Sequence, residues 1–128
     1  MLDEAQRKAA VTDYFAAINE GEPAAIVAKF ADDAVIEDPV GGTVRVGRDA
    51  VEEFAALVVA SEMKISVGTL VAAQDGTRAA VALSATFRDT LDADRRQVSV
   101  NAVDVIEFDA DARIRRLQAF WGISDLSL

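Results

Sequence analysis

Apolar residues recur at helical spacing over residues 3–20. Val11, Tyr14 or Phe15, and Ile18 fall three to four positions apart, and Gly21 supplies a stop. A second, short helix is expected to begin at Pro23, because a fixed φ and a missing amide suit a first helical position. Ile26, Val27 and Phe30 form its apolar side, and Asp32 and Asp33 break the pattern. Residues 34–38 read as a short strand ended by Pro39 and the Gly41-Gly42 pair, and residues 43–46 as a second, weakly alternating one. Gly47-Arg48-Asp49 introduces a third helix reaching about Ala60, with Val51, Phe54, Ala55 and Val58 on one face and Asp49 as its expected N-cap.

Beyond the third helix the pattern turns to β structure. Residues 64–73 are rich in Ile, Val, Thr and Leu, and Asp75-Gly76 is a hairpin signal. Residues 78–88 continue as a strand, 89–96 form a longer polar connection, 97–108 are the clearest strand, and 112–121 the last. Helices first and antiparallel strands afterwards predict an α+β fold in one domain spanning residues 1–128. Three N-terminal helices would cover one face of a curved sheet that wraps into a cone with an apolar pocket at its open end.

Composition removes several kinds of chemistry. The 128 residues are 52% apolar, enough for one real core. The 22 acidic and 13 basic side chains leave a net charge of -9, which would repel phosphate backbones; nucleic acid is a poor partner. With no cysteine and no histidine, thiolate catalysis, the usual general base and the commonest metal ligands are missing. Acid–base work near neutral pH falls to carboxylates, the single tyrosine or a perturbed lysine. No basic-then-apolar leader and no membrane-length apolar run is visible, so a soluble cytoplasmic protein without membrane insertion is expected.

Asp104 is the most informative residue. In an extended 97–108 segment, Val98, Val100, Ala102, Asp104, Ile106 and Phe108 share one face, apolar except for the aspartate. An unpaired ionised carboxylate there would be costly, and the neutral acid, able to donate a hydrogen bond, is the cheaper state. Pairing with an arginine or with backbone amides is the other reading. Asp38 follows Ala34 and Ile36 on one strand face and precedes Pro39, where a plain turn residue would also fit. Tyr14 lies on or beside the apolar stripe of the first helix. Phe120 and Trp121 face opposite ways, so one of them can line a cavity. The arginines at 113, 115 and 116 suit a solvated face, and the glycines lack phosphate-loop spacing.

Four segments together resemble the ketosteroid isomerase family of the nuclear transport factor 2-like fold. They are Tyr14-Phe15-Ala16-Ala17-Ile18-Asn19-Glu20-Gly21, the run from Phe30 to Gly41 containing Glu37-Asp38-Pro39-Val40-Gly41, Val103-Asp104-Val105-Ile106-Glu107-Phe108, and Arg113-Ile114 through Gln118-Ala119-Phe120-Trp121. The resemblance implies a steroid Δ5-3-ketone isomerase without metal or cofactor. In it Asp38 is the general base, and Tyr14 and a protonated Asp104 hold the enolate oxygen. It also implies a hydrophobic ketone, a steroid, as substrate, with Phe54, Phe87 and Trp121 lining its pocket, and a homodimer formed through the outer sheet face. Phe30 and Ala55 stand where some members carry tyrosines that bond the helix tyrosine, and the 89–96 connection is longer than usual. A related enzyme on another ketone, polyketide cyclase-like, or a non-catalytic small-molecule-binding module are the alternatives.

Overall fold

The computed structural model describes residues 2–128. Helix α1 (Glu4–Glu20) opens with a reciprocal cap: Asp3 Oδ1 accepts from the Gln6 amide at 2.7 Å, and Gln6 Oε1 accepts from the Asp3 amide at 2.9 Å. It ends at Gly21, whose φ of 76° is the left-handed conformation that glycine adopts without strain. Helix α2 is Pro23–Val27 and α3 is Arg48–Ala60.

The strands are β1 (Phe30–Glu37), β2 (Val44–Val46), β3 (Lys64–Ala72), β4 (Arg78–Arg88), β5 (Gln97–Phe108), β6 (Ile114–Phe120) and β7 (Leu126–Ser127). They form one sheet in the order β2-β1-β6-β5-β4-β3, and β7 pairs with β5. All pairings are antiparallel except β1 with β6. β6 covers Val103 to Phe108 of β5, and β7 takes up Ser99 and Val100 beyond it. The architecture is the expected α+β cone of three helices against a curled sheet, with one parallel pairing.

Several local expectations are corrected. Phe30 opens β1 and is not part of α2, and Asp32 and Asp33 lie inside that strand as solvent-facing positions. The pairing with β6 slips between Phe30 and Val35, which lets two consecutive carboxylates face water without ending the strand. Gly47, at φ 90°, and not Asp49, caps α3; Asp49 sits in the first turn, where a negative charge meets the positive helix end. A 3-10 turn at Ile123–Asp125 and β7 had no visible signal, since two or three residues are too few to show a period.

The core lies between sheet and helices, with Val11, Phe15 and Ile18 of α1 packed with Val51 and Val58 of α3, Ile106 and Leu117. Two polar residues tie α1 to the sheet. Arg7, only 3% exposed, donates to the carbonyls of Ala73 and Arg78 at 2.6 and 2.7 Å, clamping the β3–β4 turn. Asn19 donates to the Ile65 carbonyl and accepts from the Ile65 amide, extending the ladder of β3 onto the helix. Arg7→Ala, which orphans those carbonyls and opens a cavity, is expected to lower unfolding free energy by about 2–4 kcal/mol in urea denaturation. Lys8→Ala on the exposed side of the same helix is expected to stay within about 0.5 kcal/mol.

Candidate active site

β5 is pleated, so every second side chain points into the cone. Val98, Val100, Asp104, Ile106 and Phe108 are buried on that face and Ala102 is half-buried. Asp104 is 7% exposed, and the residues across from it are Val81 on β4 and Ala119 on β6. Among the described residues no cation lies within ion-pair distance of it. Of the two readings open from sequence, the arginine-paired aspartate is not the one seen.

Tyr14 is 1% exposed. Its ring meets Phe30 edge-on at 5.4 Å and 89°, and Phe30 in turn stands against Phe54 at 6.4 Å. Phe30 thus orients the tyrosine ring but offers its hydroxyl nothing. Asp38 follows β1, and Trp121 follows β6, the parallel neighbour of β1. That adjacency lets the indole Nε1 donate to Asp38 Oδ1 at 2.7 Å. Arg45 stands opposite Ile36 on β2, on the same face as Asp38.

Tyr14, Asp38 and Asp104 all line one cavity of about 180 Å³, whose wall is otherwise mostly apolar. Phe54, Phe87 and Trp121 line it too. Asp38 stands at its opening, with residue surface facing outward, while Tyr14 and Asp104 lie deeper. Met63, Ile65 and Leu126 also belong to the wall. No local pattern singles them out, because each comes from a segment end or a short strand. The tryptophan–carboxylate bond also escaped sequence reasoning, since only the β1–β6 pairing creates it. No three carboxylates cluster as metal ligands would among the described residues.

The two carboxyl groups share a sign of charge and differ in surroundings. Burial pushes Asp104 up to about 8, and the nearby Asp38 charge adds to the rise. Burial also raises Asp38, but the Trp121 hydrogen bond and the positive Arg45 pull it back down. Burial raises the Tyr14 hydroxyl well above its usual value, with Asp104 and Asp38 adding to the shift. Near neutral pH the apolar cavity thus holds two neutral O–H donors, Asp104 and Tyr14, beside the carboxyl group of Asp38, whose charged form the Trp121 N–H and Arg45 favour. Such a set can remove a proton from a carbon acid while two donors bond the oxygen that becomes charged.

A family model described as a SnoaL-like domain matches residues 11–117. The chain is 41% identical over 122 residues to a steroid Delta-isomerase of Nocardioides simplex, covering 95% of this chain and 94% of that protein. It is 33% identical over 143 aligned residues to epoxide hydrolase LasB of Streptomyces lasalocidi, covering 98% of this chain but only 51% of LasB, so it spans about half of that relative. Among solved structures, it superposes at a TM-score of 0.94 and 43% identity on SalBIII, described as an epoxide hydrolase/cyclase-like enzyme in pyran ring formation in the polyether salinomycin. That match covers 97% of this chain and 96% of SalBIII. A Mycobacterium tuberculosis protein in complex with estradiol-17beta-hemisuccinate shares the fold at a TM-score of 0.87 and 17% identity, covering 96% and 98% of the two chains.

The Asp104 shift has a consequence for stability. A carboxyl raised in the folded state holds its proton between its ordinary value near 4 and about 8, while the unfolded chain has lost it. Stability from this group is fully present below the lower value and is lost as pH rises towards 8. Asp104→Asn removes the titration. The variant's stability advantage over the wild type should therefore grow by up to about 1.4 kcal/mol per pH unit across that window and level off above it. Urea denaturation at pH 5, 7 and 9 checks this, and a pH-independent difference would contradict it.

Proposed function

Because the chain belongs to the SnoaL-like family and has the nuclear transport factor 2-like fold, we propose that it is a steroid Δ5-3-ketone isomerase. The observation that carries the reading is the pairing of Asp38, held by Trp121, with two neutral donors that face the same apolar cavity. The Asp38 carboxylate takes the proton at C4, between the ketone and the double bond. The electron pair moves towards the ketone oxygen, and Tyr14 and protonated Asp104 donate hydrogen bonds to that dienolate oxygen. Asp38 then returns the proton to C6, leaving the conjugated enone and the enzyme as they began. A carboxylate is a weak base for such a proton, so stabilising the oxygen is the larger part of the task. The 41% identity with a steroid Delta-isomerase over nearly the whole chain supports the choice of reaction.

The similarity to SalBIII and LasB supports a second reading, opening of an epoxide. There Asp38 would take a proton from an attacking hydroxyl, and Asp104 would give its own proton to the epoxide oxygen as the C–O bond breaks. This moves a proton from one acid to the other, which must be reset through solvent after each turnover. Isomerisation needs no reset.

As a homodimer, the protein would pair through the outer sheet face, where Val71, Val103 and Phe120 are exposed. Among the described residues no helix is long and apolar enough to cross a membrane.

With 5-androstene-3,17-dione, the wild type is expected to produce the conjugated enone absorbance. Asp38→Asn should lower kcat by at least about a hundredfold and up to ten-thousandfold, and Tyr14→Phe by about a hundred- to thousandfold. The rate should fall above about pH 8 as Asp104 loses its proton. Undiminished turnover in Asp38→Asn would remove the base assignment. Ring closure of a hydroxy-epoxide without enone formation would select the second reading.

A further inference from the structure

The inner cavity does not end at Asp38. A second cavity of about 270 Å³ shares Asp38, Phe54, Val58, Met63 and Phe87 with it and continues outward. Its remaining walls come from Leu57 of α3 and Ser61 just after it, Arg45 of β2, Arg88 at the end of β4 and the start of the 89–96 connection. Leu91 is 96% exposed there, a large apolar side chain left uncovered. It is held in place: its amide bonds Asp89 Oδ1 at 3.0 Å, the Arg95 amide bonds the Asp92 carbonyl at 3.0 Å, and Arg95 Nη2 reaches the Ala60 carbonyl at 2.8 Å. The connection is thus fastened to the end of α3 as a fixed rim.

The charges at this rim are unequal. Arg45 shares a face with Asp38, on whose carboxyl its charge acts, and among the described residues its ion-pair partner is the largely exposed Glu53 at 3.7 Å. Arg88, at the exposed end of β4, also lines this chamber, but it alternates with Phe87 along the strand, whereas Arg45 shares the face of Asp38. Asp89 also lines the chamber and keeps its negative charge, with one oxygen accepting from the Leu91 amide. In a chain of net charge -9, Arg45 is a weakly committed cation at the opening of an apolar passage.

We propose that the natural substrate continues past Asp38 into this outer chamber, with an apolar stretch against Leu57 and Leu91 and a terminal carboxylate received by Arg45. The substrate is then an amphipathic ketone acid longer than the inner cavity. The inference rests on the inner cavity being the reaction site described above.

The test compares the 17-hemisuccinate of 17β-hydroxy-5-androsten-3-one with its uncharged methyl ester. At low ionic strength wild-type kcat/KM should favour the acid about fivefold, against the repulsion expected from the protein's net charge, and salt should erode the preference. Arg45→Gln should bring the ratio to about one; any effect of that substitution on Asp38 falls on both substrates and cancels. Binding of testosterone hemisuccinate and its methyl ester, read by quenching of the single tryptophan Trp121, should show the same preference. Equal or weaker use of the acid by the wild type, or a preference that survives Arg45→Gln, overturns the proposal. Preferential binding of the acid without any turnover would leave the chamber standing and remove the isomerase reading.

Discussion

A carboxyl group on the buried face of β5, with apolar residues on both neighbouring strands, is the constraint around which the site is arranged. Among the described residues Asp104 meets no cation, and its surroundings disfavour the charged form so strongly that the proton stays on near neutral pH. That state depends on keeping water away. α1 and α3 do this by contributing Tyr14, Ile18, Phe54 and Val58 to the cavity wall, so the core that holds the fold together is also the wall that sets the acid's chemistry. The clamps made by Arg7 and Asn19 matter in the same way, since they hold α1 against the β3–β4 side of that wall.

Two aspartates close enough to influence each other will not both ionise easily in an apolar cavity, so something must decide which does. The decision is made by unequal partners. Asp38 sits at the opening with an indole N–H on one oxygen and a guanidinium on its own face; Asp104 has neither and lies deeper. The negative charge of Asp38 then helps to keep the proton on Asp104, so each residue reinforces the state of the other. On the proposed isomerase reading this is the division between base and donor, produced by location and not by residue type.

Much of this was legible in the sequence, for reasons that differ by residue. The alternation in residues 97–108 put Asp104 among core side chains, because a strand twelve residues long displays its two faces plainly. Long helices and strands carried enough periods to be recognised, which is why β4 and β5 fall where expected. The four-residue error at the start of β1 came from reading two adjacent aspartates as a break, when a register slip lets both face water. Contacts made only by the parallel β1–β6 pairing, such as Trp121 with Asp38, have no local signature. Neither does the position of Arg45, whose strand is three residues long.

One ionised acid, one neutral acid and a tyrosine do not by themselves name a reaction; a ketone and an epoxide both develop negative charge on oxygen. What separates them is where the proton must end. In isomerisation it leaves and rejoins carbon through one carboxylate, and Asp104 keeps its own hydrogen throughout. In epoxide opening Asp104 gives its hydrogen away and must recover it, which calls for an exchange route to solvent from the deepest acid in the cavity. Asp104 is buried beneath apolar walls, while Asp38 stands at the opening. On the proposed roles, the group with ready access to exchange is the base, and the group without it is the one that isomerisation never requires to exchange. This placement favours the single-base proton shuttle over the two-acid relay.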